Sequence, residues 1–379
     1  MRLIVVLASL LLLGGSAMAE EATVWIGTST PRNGESKGIY RASLNLETGN
    51  LSEPELAAEI GSPGFVAIHP KRHRLYAICQ LPDGRGGGVA AFEISDDQKR
   101  LRLLNTEVIG DGGAAHLAVD PTGRCLFTAQ YGGGSVAAFP LDSDGRVLPR
   151  SALVEHEGSG PDEKRQKGPH PHSVNVDPVN RFLLVPDLGI DQVVIYRMNL
   201  EDGRIERHGC GRCPAGSGPR HMKFHPDGDF AYVVNELQMS VTAFAYDSEA
   251  GTLDAIQTIS TLPEDLREIP NSASEIRIHP NGRFIYAANR GHDSIAAFQI
   301  DPESGKLTFI EREAIRGSWP RNFNLDPSGK WLLAAGRNSN TLSVFAIDPE
   351  TGGLIFTGKT VPCPTPICVE FQPPARSGP

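Results

Sequence analysis

The sequence predicts an all-β protein, a seven-bladed β-propeller with four antiparallel strands in each blade. Three observations support this prediction: a strand-turn-strand pattern that recurs seven times, a spacing of about 50 residues between its copies, and an unusual composition. The 379 residues include 41 Gly and 29 Pro, and only 7% are aromatic. Such a composition is typical of a turn-rich protein rather than a helical bundle. We therefore predict a single propeller domain over residues 20–379.

Each copy of the repeat is centred on a dipeptide that ends in proline. A short strand precedes this anchor dipeptide, and a second apolar strand follows it, usually after a glycine. Proline fixes φ and glycine accepts positive φ, which a tight reversal of the chain requires. The seven anchors are His69-Pro70, Asp120-Pro121, Asp177-Pro178, His225-Pro226, His279-Pro280, Asp326-Pro327 and Gln372-Pro373.

The fourth copy shows the predicted blade most clearly. Its strand A ends over residues 222–225, and strands B, C and D follow over residues 230–235, 241–246 and 253–259.

The two ends of the chain complete one another, because residues 366–372 supply an A strand whereas residues 24–28 and 39–44 supply B and C strands. Pairing these N- and C-terminal strands in one blade closes the ring and removes exposed sheet edges.

Residues 1–19 form a predicted signal peptide. Arg2 supplies the positive charge, residues 3–13 form an apolar run too short to span a bilayer, and small residues near Ala19 suit cleavage before Glu20. No later segment has eighteen consecutive apolar residues. We therefore expect a soluble periplasmic or secreted protein with no membrane span.

Charge and motif content exclude several classes of function. A net charge of −9 without a basic run argues against nucleic acid as a partner. No P-loop, HExxH, Gly-x-Ser-x-Gly or dinucleotide motif is present, so we predict neither a cofactor nor a metal. The cysteine spacing leaves any disulfide pairing undetermined, and Cys210 and Cys213 form either a loop disulfide or two free thiols. The six cysteines are Cys79, Cys125, Cys210, Cys213, Cys363 and Cys368.

The repeat also predicts a functional site, because equivalent positions in different blades share an environment. Strands A and B are antiparallel around the anchor, so the start of A and the end of B lie at the same mouth of the central channel. Five residues before the anchors stand Gly64, Ala115, His172, Arg220, Ser274, Arg321 and Ile367; eleven after the first six stand Gln80, Tyr131, Leu188, Glu236, Arg290 and Arg337. Ionisable side chains gathered at one concave mouth indicate a site for an anionic ligand. The alternative is a set of rim charges that only pair with one another.

Three segments carry a family resemblance: residues 167–178, 218–236 and 282–295. They resemble signature segments of the lactonase family, which includes propeller-type 6-phosphogluconolactonases and the fungal carboxymuconate-lactonizing enzyme. The resemblance spans nearly all of residues 23–372. The residues that match the family's motifs are His172, Arg220, Glu236 and Arg290.

The resemblance implies an enzyme, a carboxylic ester hydrolase that opens a small anionic or sugar lactone. In our hypothesis His172 is the general base, and Arg220 faces the developing oxyanion. Glu236 orients His172 or passes a proton to the leaving alkoxide, and Arg290 clamps a carboxylate or phosphate. Further substrate contacts are expected from His170, Arg337, Arg321 and Tyr131.

Two alternatives share these residues. One is a lactonizing isomerase that uses the same base and arginines, and the other is an exported propeller that binds ligands without catalysis. The sequence determines neither the lactone, its phosphorylation nor the oligomeric state. His116, His221, His225 and His279 are expected to be structural, with His221 pointing away from Arg220 along the strand.

Overall fold

A computed structural model describes residues 20–31, 34–81, 83–263, 266 and 271–372. In this part of the chain, seven four-stranded antiparallel sheets form a propeller, and no α-helix is present. The predicted fold class is confirmed. The signal peptide predicted for residues 1–19 lies outside the described residues, as does Pro373 of the last anchor.

The first half of the chain forms part of blade 7 and all of blades 1 to 3. It begins with β1 (Glu21–Thr28), β2 (Gly38–Asn45) and β3 (Glu55–Glu59). Blade 1 contains β4 (Val66–Ile68), β5 (Arg74–Gln80), β6 (Gly87–Ile94) and β7 (Leu101–Val108). Blade 2 contains β8 (Ala114–Val119), β9 (Cys125–Gln130), β10 (Ser135–Pro140) and β11 (Ala152–Glu155). Blade 3 contains β12 (Asn175–Val176), β13 (Phe182–Asp187), β14 (Gln192–Asn199) and β15 (Arg204–Arg212).

The second half forms blades 4 to 6 and the last strand of blade 7. Blade 4 contains β16 (Pro219–Phe224), β17 (Phe230–Asn235), β18 (Ser240–Asp247) and β19 (Thr252–Ser260). Blade 5 contains β20 (Ser272–Ile278), β21 (Phe284–Arg290), β22 (Ser294–Ile300) and β23 (Leu307–Ala314). Blade 6 contains β24 (Pro320–Leu325), β25 (Trp331–Gly336), β26 (Thr341–Ile347) and β27 (Leu354–Pro362), and the final strand is β28 (Pro366–Phe371).

Blade 7 closes the ring as predicted. Its strand order is β28-β1-β2-β3, so the innermost strand comes from the C-terminal end of the described chain. Val24 pairs with Phe371 in this ladder, and Trp25 Nε1 donates a hydrogen bond to Gln372 Oε1 at 3.1 Å. Closure leaves no long sheet edge between blades 6 and 1.

The anchor dipeptides connect neighbouring blades. His225 of blade 4 bonds through Nε2 to the carbonyl of Gly282 in blade 5 at 2.9 Å, and His279 bonds in the same way to Gly329 of blade 6 at 2.9 Å. An aspartate anchor also organises its own turn, where Asp120 accepts hydrogen bonds from the backbone of residues 122, 124 and 125 in addition to one from Asn180 Nδ2 of blade 3 at 3.0 Å. Both residue types therefore satisfy polar groups that the turn would otherwise bury.

The hydrophobic core lies between blades. Strands B and C are almost fully buried, as in β21, whereas the outer D strands are half-exposed, as in β19. One core cluster joins Tyr232 and Val234 of blade 4 to Ile285 and Ala287 of blade 5. The ring therefore holds each A strand in a fixed position around the channel.

Candidate active site

A bulge at the start of several A strands interrupts the ladder at the positions where the repeat predicts the site. The strand register shifts around Ala115 in blade 2, Arg220 in blade 4, Ser274 in blade 5 and Arg321 in blade 6. All four stand five residues before an anchor. A bulge gives one strand an extra residue and re-aims its side chain, and such bulges are frequent beside active sites.

The mouth of the channel contains a cavity of about 490 Å³. This volume lies within the usual range for a small-molecule site. Five predicted site residues line it: Tyr131, His172, Glu236, Arg290 and Arg321. The other lining residues are Gly113, Ala114, Ala115, Arg165, Asn271, Ser272 and Trp319.

Glu236 is the centre of a buried ionic cluster. Its Oε2 lies 3.0 Å from Arg220 Nε and 2.9 Å from Arg290 Nη2, and its Oε1 lies 2.7 Å from Arg165 Nη2. Burial alone would raise the pKa of Glu236, but Arg290 and Arg220 overcome that effect and hold the pKa well below its ordinary value. Glu236 is therefore an ionised acceptor that neutralises the surrounding guanidinium groups.

Arg220 lies beneath Glu236 and is only 2% exposed. Besides the bond to Glu236, its guanidinium donates to the carbonyl oxygen of Ser274 in the next blade. Arg220 is not among the described residues that line the cavity. The hypothesis that Arg220 faces an oxyanion does not fit this geometry, because both of its bonds are directed into the protein.

His172 borders the cavity beside two aromatic rings. Its ring centroid lies 5.4 Å from that of Tyr131 and 5.1 Å from that of His221. Within the described chain Nδ1 is buried without a hydrogen-bond partner, and no hydrogen bond joins His172 to Glu236. The hypothesis that Glu236 orients His172 therefore lacks the required contact. Burial, reinforced by Arg220, lowers the pKa of His172 well below its ordinary value, so the imidazole is neutral at pH 7.

His221 points away from Arg220, as the strand alternation predicts. Its Nδ1 lies 3.1 Å from Glu275 Oε1, a carboxylate that is completely buried in the channel wall. The ring also contacts His116, with centroids 5.3 Å apart. His221 and His116 thus form part of the layer beneath the cavity.

Arg321 differs from Arg165 and Arg290, the other arginines that line the cavity, because its side chain has no hydrogen bond or ion pair to any described residue. Burial, together with the nearby Arg290, lowers the pKa of Arg321 to about 10. Its side chain also borders an adjoining cavity of about 200 Å³, which includes Ser29, Ser62 and Gln80. Arg321 is therefore the cation of the mouth that remains available to a ligand.

Two predicted substrate contacts support the cavity from behind and do not line it among the described residues. His170 stacks on Tyr131 with ring centroids 4.6 Å apart, and its Nδ1 lies 2.7 Å from the Tyr131 carbonyl oxygen. The backbone nitrogen of Arg337 donates to the Trp319 carbonyl at 3.1 Å. Both residues therefore contact a residue that lines the cavity and do not line it themselves.

Sequence reasoning missed Arg165 and Trp319. Arg165 lies in the long connection between β11 and β12 and donates to Tyr131 Oη at 3.1 Å as well as to Glu236. The basic segment of residues 164–167 is the feature of the sequence that could have identified Arg165, since long loops at one end of a propeller often carry function. Trp319 has a φ of 61° and stacks against the Arg290 guanidinium, 5.5 Å from its ring centroid. Its conformation has no signal in the sequence.

All six cysteines are free, and Cys210 is the only one that is not buried. The described ranges contain no group of three or more His, Cys, Asp or Glu placed to hold a metal ion. In the same part of the chain, no helix has the length and apolar character needed to cross a bilayer.

Comparison with known proteins gives consistent matches over nearly the whole chain. The family model described as lactonase, 7-bladed beta-propeller, matches residues 23–371. A 6-phosphogluconolactonase of Bacillus subtilis is 39% identical over 347 residues, which cover 92% of this chain and 97% of that protein. A 6-phosphogluconolactonase of Formosa agariphila is 31% identical over 311 residues, covering 80% of this chain and 86% of that protein.

A solved structure extends the comparison to three dimensions. The periplasmic gluconolactonase of Pseudomonas aeruginosa superimposes with a TM-score of 0.86 at 31% sequence identity, covering 93% of this chain and 99% of that one. Its likeness includes the whole ring of blades. The family match and these relatives agree, and the chain belongs to the lactonase family of seven-bladed β-propellers.

Proposed function

We propose that the protein hydrolyses a sugar-type lactone to its hydroxy acid in the cavity at the channel mouth. The observation that carries this proposal is the combination of a neutral, buried His172 with an unpaired Arg321 in one cavity. Ester hydrolysis requires a base for the attacking water and a positive group for the oxyanion. Family membership supports the same reaction.

In this proposal His172 acts as the general base. Its lowered pKa keeps the imidazole unprotonated at neutral pH, and Nε2 is the nitrogen left to face the cavity because Nδ1 is buried. His172 takes a proton from water as the water oxygen attacks the lactone carbonyl. The resulting imidazolium then gives that proton to the ring oxygen as the carbon-oxygen bond breaks.

Arg321 takes the role that sequence reasoning gave to Arg220. An unpaired guanidinium in a half-buried cavity stabilises the negative charge that develops on the carbonyl oxygen, where fixed positive charge has its greatest effect. Glu236 does not transfer protons, because its three arginine partners keep it ionised. Its role is to hold Arg165 and Arg290 at the cavity wall.

The charge of the mouth favours a lactone that carries its own acidic group. Arg165, Arg290 and Arg321 line the cavity and Arg220 supports it, whereas Glu236 is the single carboxylate among the described lining residues. The adjoining cavity with Ser29, Ser62 and Gln80 offers hydroxyl and amide groups to the rest of a polyol chain. A phosphorylated gluconolactone satisfies both features, and two relatives are named for that substrate.

We also propose that the mature chain begins at Glu20 and acts outside the cytoplasm. The signal-peptide pattern of residues 1–19 supports this localisation, as does the likeness to a periplasmic gluconolactonase. Mass spectrometry of the protein purified from its native host tests the cleavage site. An N-terminus that retains residues 1–19 would contradict it.

A pH-stat assay of the mature protein tests the reaction. After subtraction of the uncatalysed hydrolysis, we expect acid release from glucono-1,5-lactone and faster release from 6-phosphogluconolactone, and a much slower catalysed rate on both in the His172→Asn variant. Turnover of a carboxymuconate in place of both sugar lactones would instead support the lactonizing isomerase. Binding of the lactones without turnover would support the non-catalytic propeller.

A further inference from the structure

A second cavity lies at the opposite end of the central channel, beside the anchor turns. Its volume is about 430 Å³. All seven A strands contribute to its wall, and none of its described lining residues belongs to the mouth cavity. We refer to it as the anchor-end cavity.

The wall of the anchor-end cavity is divided into a charged and an uncharged half. Two residues before each anchor, the A strands present Ala67, Ala118, Asn175, Lys223, Arg277, Asn324 and Glu370. The ionisable members of this set come only from blades 4, 5 and 7. Blades 1 and 2 contribute small side chains at this level, together with the Phe65 ring one layer deeper.

Arg277 has only part of its hydrogen-bonding capacity satisfied. Its Nη1 lies 3.2 Å from the buried Glu275, while its Nε is buried without a partner in the described chain. Glu275 is itself shared with His221 and accepts a hydrogen bond from Asn322. Arg277 thus presents a positive group to the cavity on a rigid support.

Lys223 and Glu370 face the same cavity without forming an ion pair. The Lys223 ammonium group has no hydrogen bond or ion pair to a described residue, and the Glu370 carboxylate accepts a single side-chain bond, from Asn324 Nδ2 at 3.3 Å. Burial and the neighbouring Arg277 lower the pKa of Lys223 to about 8, while burial raises the pKa of Glu370. Half-buried ions without partners are costly, so a ligand with complementary charges gains from binding them.

We propose that the anchor-end cavity binds a small zwitterion, an α-amino acid with an apolar side chain. Its carboxylate contacts Lys223 and Arg277, its ammonium group contacts Glu370, and its side chain lies against the uncharged wall of blades 1 and 2. This site is distinct from the lactone site and does not depend on the proposed reaction.

The charge balance favours a zwitterion over a simple anion. Lys223, Arg277 and Glu370 line the cavity, and the buried Glu275, which pairs with Arg277 from behind the wall, supplies the second carboxylate, so these four groups together have no net charge. A simple anion would leave Glu370 facing another negative charge, and a simple cation would face Lys223. The mouth cavity differs, because its arginines outnumber its one carboxylate.

A layer of side chains separates the two cavities. It consists of the residues four before each anchor, all less than 10% exposed: Phe65, His116, Ser173, His221, Glu275, Asn322 and Cys368. Occupation of one cavity therefore leaves the other free for its own ligand.

Saturation-transfer NMR titration of the mature protein tests the proposal with L-phenylalanine as the probe. Two analogues separate its charges: 3-phenylpropanoate lacks the ammonium group, and 2-phenylethylamine lacks the carboxylate. We expect saturable binding of L-phenylalanine and at least tenfold weaker binding of both analogues. This comparison uses only the wild-type protein, so it holds whether or not variants fold.

Variants then assign the site. Lys223→Met and Glu370→Gln are each expected to weaken L-phenylalanine binding at least tenfold, while Lys330→Met, an exposed lysine in the blade 6 anchor turn, leaves it unchanged. Lactone hydrolysis is expected to stay at the wild-type rate in all three. Failure of the wild type to bind L-phenylalanine, or equal binding of 3-phenylpropanoate, would overturn the proposal.

Discussion

Arg220 Nε and Glu236 Oε2 lie 3.0 Å apart at the open end of one hairpin, where Arg220 stands at the start of β16 and Glu236 just after β17. The bulge at Arg220 brings the two side chains together. Blade 6 has the same geometry but a different outcome, because Arg321 and Arg337 stand at the equivalent positions. No carboxylate among the described residues pairs with either of these arginines, which leaves Arg321 available at the mouth.

Replacing Glu236 with Gln removes the charge that three buried or half-buried arginines share. Breaking a buried ion pair from one side typically costs about 3–5 kcal/mol in the free energy of unfolding. We expect a loss of that size in guanidinium denaturation and a parallel loss of lactone hydrolysis. Glu249→Gln is the matched control, because Glu249 pairs with Arg181 but its side chain is 86% exposed. A loss below about 1 kcal/mol in Glu236→Gln would mean that the cluster is not held by this charge.

His172→Asn removes the proposed base while keeping a polar side chain of similar shape. The rate of lactone hydrolysis is expected to fall by about 10²–10⁴, the usual contribution of a positioned general base. Circular dichroism should show an unchanged fold. His208→Asn alters an exposed histidine of β15 and should keep full activity. Residual activity within a factor of ten of wild type would exclude His172 as the base.

Arg321→Met removes the unpaired guanidinium and preserves most of the side-chain volume. We expect kcat to fall by about 10²–10³, as for loss of a group that stabilises an oxyanion, and Arg321→Lys to restore part of it. Arg124→Met provides an exposed control in the blade 2 anchor turn. A change confined to KM would show instead that Arg321 binds the ground state of the substrate.

Acidification is expected to destabilise the protein through His116, His172 and His221. Burial lowers the pKa of each of them well below 6.5 in the folded state. The unfolded chain therefore binds protons below about pH 6.5 that the folded chain does not, and stability is lost as the pH falls. Each group contributes up to about 1.4 kcal/mol per pH unit.

Denaturant titrations at pH 7, 6 and 5 measure this effect, and salt concentration should be held constant. Since His172 stays neutral in the same range, hydrolysis should persist below pH 6.5 wherever the fold does. Equal stability at pH 7 and 5 would contradict the assignment of three neutral buried imidazoles.

The Gly282→Ala variant tests the contact between the anchor histidine His225 and the neighbouring blade. Gly282 has a φ of 73°, and an added Cβ would lie 2.7 Å from His225 Nε2. Gly84→Ala is matched, since Gly84 has a φ of 79° but open space around it. Both variants carry the backbone strain of about 1 kcal/mol, and overpacking should cost Gly282→Ala about 1–3 kcal/mol more. Equal losses in thermal unfolding would show that the contact is not tight.

The fold was predictable because its information is repeated along the chain. Seven anchors fixed the blades, and in blade 4 the observed β17 coincides with the prediction of residues 230–235. The same repeat placed His172, Glu236, Arg290, Arg321 and Tyr131 at one mouth. Antiparallel pairing brings the position five residues before an anchor close to the position eleven residues after it.

What the repeat could not predict lies outside its symmetry. Arg165 belongs to an inter-blade connection that has no equivalent in other blades. A comparison of equivalent positions between blades therefore could not identify it as a site residue. Trp319 reaches the cavity through a left-handed backbone that Asp293 stabilises by accepting the Trp319 N–H at 2.7 Å. The direction of Arg220 depends on which neighbour offers a carboxylate, a property of packing rather than of spacing.

The ladder between β1 and β28 has a consequence for how the chain folds. The other ladders of the described strands join strands that are consecutive in the sequence, whereas the bond between Trp25 and Gln372 connects residues 347 apart. Bringing such distant segments together costs about 5 kcal/mol of chain entropy. We therefore expect individual blades to form early from local contacts and the docking of β28 to be the slow, non-local step, before which β1 presents an unpaired edge to other chains.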